Sequence, residues 1–136
     1  MTPHIRYRAG YRYQLAEPYE VHVGIAPPAT IEHPFFRLTV VGWLTIQAGY
    51  AWDGASGPAI DTKSFLRGSL VHDVCYQALS LGLLSMEWRE AADQLLRRLC
   101  REDGMSRLRA WWVYRAVRWF GDDALARGPK PVETAP

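Results

Sequence analysis

Residues 63–81 read KSFLRGSLVHDVCYQALSL, and the spacing of their apolar positions decides the fold of the second half of the chain. Phe65, Leu66, Val71, Val74, Cys75, Ala78 and Leu79 recur mostly three and four residues apart, which puts them on one side of an α-helix. Gly82 follows and suits the left-handed position that closes a helix. Toward the C-terminus, Ser85 is a suitable N-cap for a second helix. Glu87 and Glu90 stand in its first turn and Arg97, Arg98 and Arg101 in its last, an order of charge that complements the helix dipole. Its apolar side is expected to be Trp88, Ala91, Ala92, Leu95, Leu96 and Leu99, with Gly104 at its end. Ser106 can cap a third helix carrying Leu108, Trp111, Trp112, Ala116, Trp119 and Phe120 and ending at Gly121.

Toward the N-terminus the period changes from helical to alternating. Tyr19 to Ile25 alternates apolar and polar strictly, as a half-buried strand does. Residues 5–8 and 11–14 alternate too, with Gly10 between them as a bend, and Pro27-Pro28 breaks the pattern. Phe36 to Val40 and Trp43 to Ile46 give two more strands, with Gly42 as a turn or bulge. Gly49 to Asp61 reads as a loop, punctuated by Gly49, Gly54, Gly57 and Pro58. The expected class is therefore α+β: a small N-terminal antiparallel β meander followed by a three-helix core. One domain is expected over residues 1–127, with a β-rich part at 1–49 and the helical core at 50–121. The Pro-rich stretch 128–136 is expected to be a disordered tail.

Composition narrows the function classes. The chain has 136 residues, enough for one core and too few for two. A net charge of +2 is too mild to argue for nucleic acid, and none is expected as a partner. Six Trp imply either an aromatic core or amphipathic rings at an interface. Met1 is followed by Thr2, Pro3, His4 and several Arg rather than by an apolar signal sequence, and no apolar run is long enough to span a bilayer. The protein is therefore expected in the cytoplasm when made. Cys75 and Cys100 lack metal-site spacing and are expected to be small buried hydrophobes.

Helix geometry selects the residues that could do chemistry. His72 and Tyr76 are four apart and share a face; Asp73 is one step on, about 100° round the helix. A short link near 82–85 makes the first two helices antiparallel neighbours. From His72 to the link, and from the link to Asp93, the distances nearly cancel, so His72 and Asp93 should lie side by side. A carboxylate on an apolar helix face needs partners, and His72 and Tyr76 are those that geometry offers. An imidazole held by a carboxylate at one nitrogen keeps the other free as a base for water. The same pair would also serve as a buried structural His–Asp contact, and both readings stand on these residues. Asp53 and Asp73, with loop carbonyls, would make an all-oxygen site suited to calcium, while Asp53 to Ser56 could equally form an Asx turn. Arg107, Arg109, Arg115 and Arg118 read as the solvated face of the third helix.

Four blocks in order, 52–58 (WDGASGP), 70–76 (LVHDVCY), 91–96 (AADQLL) and 110–121 (AWWVYRAVRWFG), resemble the bacterial and fungal phospholipase A2 enzymes. The resemblance implies a phospholipase A2-like helical core in which His72 activates water, Asp93 orients His72 and Tyr76 bonds Asp93. It also implies a calcium ion held by Asp73, Asp53 and the carbonyl of Gly54, acting on a phospholipid surface. The secreted enzymes have paired cysteines that this chain lacks, and their calcium loop differs in length. The same blocks, with the β-rich stretch from about residue 11, resemble an uncharacterised bacteriophage protein family, domain of unknown function 1353. That resemblance implies a phage origin and, as an alternative to hydrolysis, a non-catalytic virion (tail or baseplate) or assembly protein that contacts other phage structural proteins.

Overall fold

Alternation in the first half of the chain builds strands with one apolar and one polar face. The structure is a computed structural model and describes residues 5, 7–8, 13–52 and 63–126. These fall into two compact units, one up to Trp52 and one from Lys63. The first unit contains β1 (Tyr7–Arg8), β2 (Tyr13–Leu15), β3 (Tyr19–His22), β4 (Ile31–His33), β5 (Phe36–Leu38), β6 (Trp43–Ile46) and β7 (Ala51–Trp52). They form a three-stranded sheet ordered β1-β2-β7 and a four-stranded sheet ordered β3-β6-β5-β4, with every pairing antiparallel.

Register in the larger sheet follows the pattern of side chains. Tyr19 and Phe36 stand opposite Ile46, and Val21 and Leu38 opposite Leu44, with all six side chains buried. The other face pairs Glu20 and Arg37 with Thr45, and Arg37 with Glu32, whose carboxylate it meets at 2.9 Å. The strands β4, β5 and β6 are a meander, and β3 lies beside β6. β5 stops at Leu38, short of the expected Val40, because Thr39 to Gly42 turn the chain. The Gly42 amide donates to the Thr39 carbonyl at 3.0 Å, and Gly42 has φ 92°, which favours glycine. Two short strands, β4 and β7, are absent from the sequence expectation; β7 falls inside the stretch read as a loop.

The second unit contains α1 (Lys63–Ser80), a 3₁₀ turn (Met86–Trp88), α2 (Arg89–Glu102) and α3 (Arg107–Ala126). Both helix ends at glycine close in the same way. Gly82 and Leu83 donate to the carbonyls of Leu79 and Ala78, and Gly104 and Met105 to those of Arg101 and Cys100. This is the double bond of a left-handed glycine cap, and it turns each helix back beside the next. Ser85 caps the 3₁₀ turn rather than α2 itself, and the Ser106 hydroxyl accepts from the Arg109 amide at 3.2 Å.

α2 packs against both α1 and α3. A Cβ at Gly68 would lie 3.0 Å from Cys100 Sγ and 3.1 Å from Leu96, so α1 and α2 approach closely there. Phe65, Leu96, Cys100, Met105 and Ala110 form a buried cluster with Val113 and Val117 against it. Arg67, buried in α1, fastens that helix to the end of α2 through both oxygens of Asp103 and through Glu102. Cys75 and Cys100 are free and buried.

One expectation about α3, its end at Gly121, is corrected. The helix runs through Gly121 to Ala126, because Gly121 keeps helical backbone and has a packing role described below. Its inward residues are Ala110, Val113, Val117 and Gly121, whereas Leu108, Trp111, Trp112, Ala116, Trp119 and Phe120 are exposed. Small side chains let α3 approach α2, and the large rings are left outside. No helix among the described residues is long and apolar enough to cross a membrane.

Candidate active site

α1 brings His72 and Tyr76 to one face, one helical turn apart, with ring centroids separated by 4.2 Å. The tight glycine turn at Gly82 then carries α2 back so that Asp93 meets both. His72 Nε2 lies 2.7 Å from Asp93 Oδ1, and the Tyr76 hydroxyl donates to the same oxygen at 2.7 Å. The antiparallel cancellation of distances along the sequence thus places these three side chains together.

The other carboxylate oxygen has a partner that sequence reasoning assigned to solvent. Arg118 Nη1 of α3 donates to Asp93 Oδ2 at 2.9 Å. Arg89, at the start of α2, donates to the Tyr76 hydroxyl at 3.3 Å and to the Arg118 carbonyl at 3.1 Å. Asp93 has no exposed surface, and its donors come from α1 and α3. The sequence alone does not single out Arg118: α1 offers two donors for the two carboxylate oxygens, and the structure shows both of them on Oδ1.

Burial alone would raise the Asp93 carboxyl. The hydrogen bonds from His72 and Tyr76, the charge of His72 and the Arg118 hydrogen bond outweigh it and hold the group below its ordinary value of 3.8. Asp93 is therefore an acceptor only, so the proton in its bond to His72 belongs to Nε2. In the neutral form of that imidazole Nδ1 carries the lone pair. Burial, with the bond to Asp93 adding, pushes the Tyr76 hydroxyl upward and keeps it a donor. Burial and the nearby Asp93 charge push the Cys75 thiol to about 12, which removes it as a thiolate nucleophile.

Gly121 makes room for this arrangement. A Cβ there would stand 2.5 Å from the Tyr76 hydroxyl and 2.7 Å from Arg89 Nη2. Gly121→Ala is expected to destabilise the protein by about 1–3 kcal/mol through that clash, against alanine's better helix propensity. A thermal melt with an unchanged or higher midpoint would show that Tyr76 and Arg89 can yield without loss.

Of the residues expected to hold calcium, Asp73 is half-buried on α1, while Asp53 and Gly54 lie outside the described residues. Among the described residues no three His, Cys, Asp or Glu side chains gather as a metal site.

Fold and site define an α+β chain whose helical part carries a buried histidine–aspartate pair. Residues 30–117, more than half of the chain, match the family described as Protein of unknown function (DUF1353), and the chain belongs to that family. The matched region includes His72, Tyr76 and Asp93 and begins later than the expected residue 11. No curated protein and no solved structure matches the chain.

Proposed function

We propose that this protein is a phospholipase A2-like hydrolase of lipid esters with His72 as its general base. The observation that carries the reading is the 2.7 Å contact of His72 Nε2 with an ionised, fully buried Asp93, which leaves Nδ1 able to accept a proton. A water at Nδ1 gives up a proton as its oxygen adds to the ester carbonyl. The tetrahedral intermediate then releases the alcohol oxygen, which takes the proton back from the imidazolium, leaving a fatty acid. Asp93 holds the tautomer and stabilises the imidazolium; Tyr76 and Arg118 hold Asp93. Calcium is the proposed ion, with Asp73 as its ligand from α1, and when bound it would supply positive charge for a phosphate and an ester oxygen.

The test is fatty-acid release from phospholipid vesicles by the full chain, with calcium and with chelator, alongside Asp93→Asn. Release that requires calcium and is lost in the variant is expected. Absence of release under every condition would leave the pair a structural contact.

One observation favours a second reading. Arg118 and Arg89 link α1, α2 and α3 around Asp93, a clamp that needs no substrate. On that reading the chain is a non-catalytic bacteriophage tail, baseplate or assembly protein. Mass spectrometry of purified virions separates a particle component, which is present there, from an enzyme that is left behind in the host cytoplasm.

A further inference from the structure

The turn that joins β4 to β5 is built unlike most two-residue hairpin loops. His33 pairs with Phe36, so Pro34 and Phe35 form the loop. The turns that best match the twist of antiparallel strands need a positive φ at the first loop residue, whereas the proline ring fixes φ at about −65°. No described residue other than glycine has a positive φ, so Phe35 supplies none either. A turn of the remaining kind splays its strands. The position before it usually holds Asp or Asn, whose side chain accepts a hydrogen bond from the amide two residues on.

Here a histidine takes that place. The Phe35 amide donates to His33 Nδ1 at 3.1 Å. An imidazole nitrogen that accepts carries no proton, so His33 is neutral with its hydrogen on Nε2. Its ring also stacks on the buried Phe36, with centroids 4.4 Å apart and planes 15° from parallel. The strand held in this way has little else to hold it. β4 is three residues long, stands at the edge of its sheet and pairs there with β5 alone. β5 is anchored from its other side, where the Phe35 carbonyl accepts from the Gln47 amide at 2.8 Å.

A proton on Nδ1 turns the contact into two donors facing each other, and the Phe35 amide loses its acceptor. Attraction of an imidazolium to the Phe36 ring opposes that loss. Burial decides the balance: it holds His33 below its ordinary value of 6.5, so the fold disfavours the charged form. The charged groups of the hairpin, Glu32 and Arg37, alternate onto the opposite face and pair with each other at 2.9 Å. Tyr50 meets the Phe35 ring edge-on at 6.5 Å.

We propose that His33 is an acid-sensitive latch on the edge of the larger sheet: neutral, it fastens the β4–β5 turn, and protonated, it leaves Phe36 and releases β4. The contribution of the latch is complete above the ordinary histidine value and is lost as pH falls through the lower folded one. Acid thereby uncovers the ring of Phe36 and the backbone edge of β5, which another strand can then pair with. The latch is independent of any chemistry at His72.

Hydrogen exchange of the full chain, followed by NMR at about pH 7.5 and about pH 5, tests it, with each rate divided by that of an unstructured chain at the same pH. Protection of the Phe35 amide and of the β4 amides is expected to drop about tenfold in acid, the weight of one hydrogen bond. His33→Asn keeps an acceptor for the Phe35 amide and does not titrate, so its protection should be level between the two conditions. The imidazole nitrogen shifts of the wild type at the higher pH should show Nε2 protonated and Nδ1 bare. A proton on Nδ1 at that pH, or equal wild-type protection at both, overturns the proposal. An equal acid drop in His33→Asn overturns it as well. The first two outcomes are read on the wild type alone, so they decide even if the variant folds poorly.

Discussion

Asp93→Ala is expected to lower the free energy of unfolding by about 3–5 kcal/mol, the cost of breaking a buried ion pair from one side. The carboxylate accepts from His72, Tyr76 and Arg118, and alanine leaves all three donors facing a gap. Arg118 suffers most, because its guanidinium cannot shed its charge. Denaturant midpoints followed by circular dichroism give the measurement, and a loss below about 1 kcal/mol would mean that the helices relax or water enters. The same group predicts a pH dependence. In the unfolded chain an aspartate titrates near 3.8, and in the fold Asp93 titrates lower. The unfolded state therefore binds the proton first as pH falls. The contribution of Asp93 is complete above the unfolded value and disappears as pH drops through the folded one. On the acid side, the stability of Asp93→Ala should accordingly fall less steeply than that of the wild type.

His72→Ala is expected to reduce calcium-dependent fatty-acid release by about 10²–10⁴-fold, the usual worth of a positioned general base. Its effect on stability should be smaller than that of Asp93→Ala, since Asp93 keeps Tyr76 on one oxygen and Arg118 on the other. That contrast separates chemistry from folding: a folded variant with no hydrolysis places the base at His72. Hydrolysis that survives in folded His72→Ala would place the reaction elsewhere in the chain.

The helical half was legible where local rules govern it. The pattern in residues 63–81 marked α1 to within one residue at its C-terminal end. Gly82, Gly104 and Ser106 marked turns because each supplies a backbone conformation or an acceptor that few residues can. The meeting of His72 with Asp93 followed from counting residues to and from a short link. What stayed hidden depends on a third element. Arg118 reads as a solvent-facing residue until α3 is laid on α2, and the packed side of α3 is made of small residues that weigh little in any apolar pattern. Its conspicuous tryptophans, which left open an aromatic core or an interface, lie on the exposed side. β4 and β7 are three and two residues long, too short for a period to show.

The glycine turns also set an order of events. Asp93 is 21 residues from His72 and 25 from Arg118, so both contacts close loops of similar and modest entropy. The chain leaves the ribosome from its N-terminus, so α1 and α2 are available to pair before α3 joins them. During that interval the aspartate has a hydroxyl and an imidazole but no guanidinium, and the crevice that α3 will cover stays open to water. Docking of the last helix therefore seals and neutralises the carboxylate in one step.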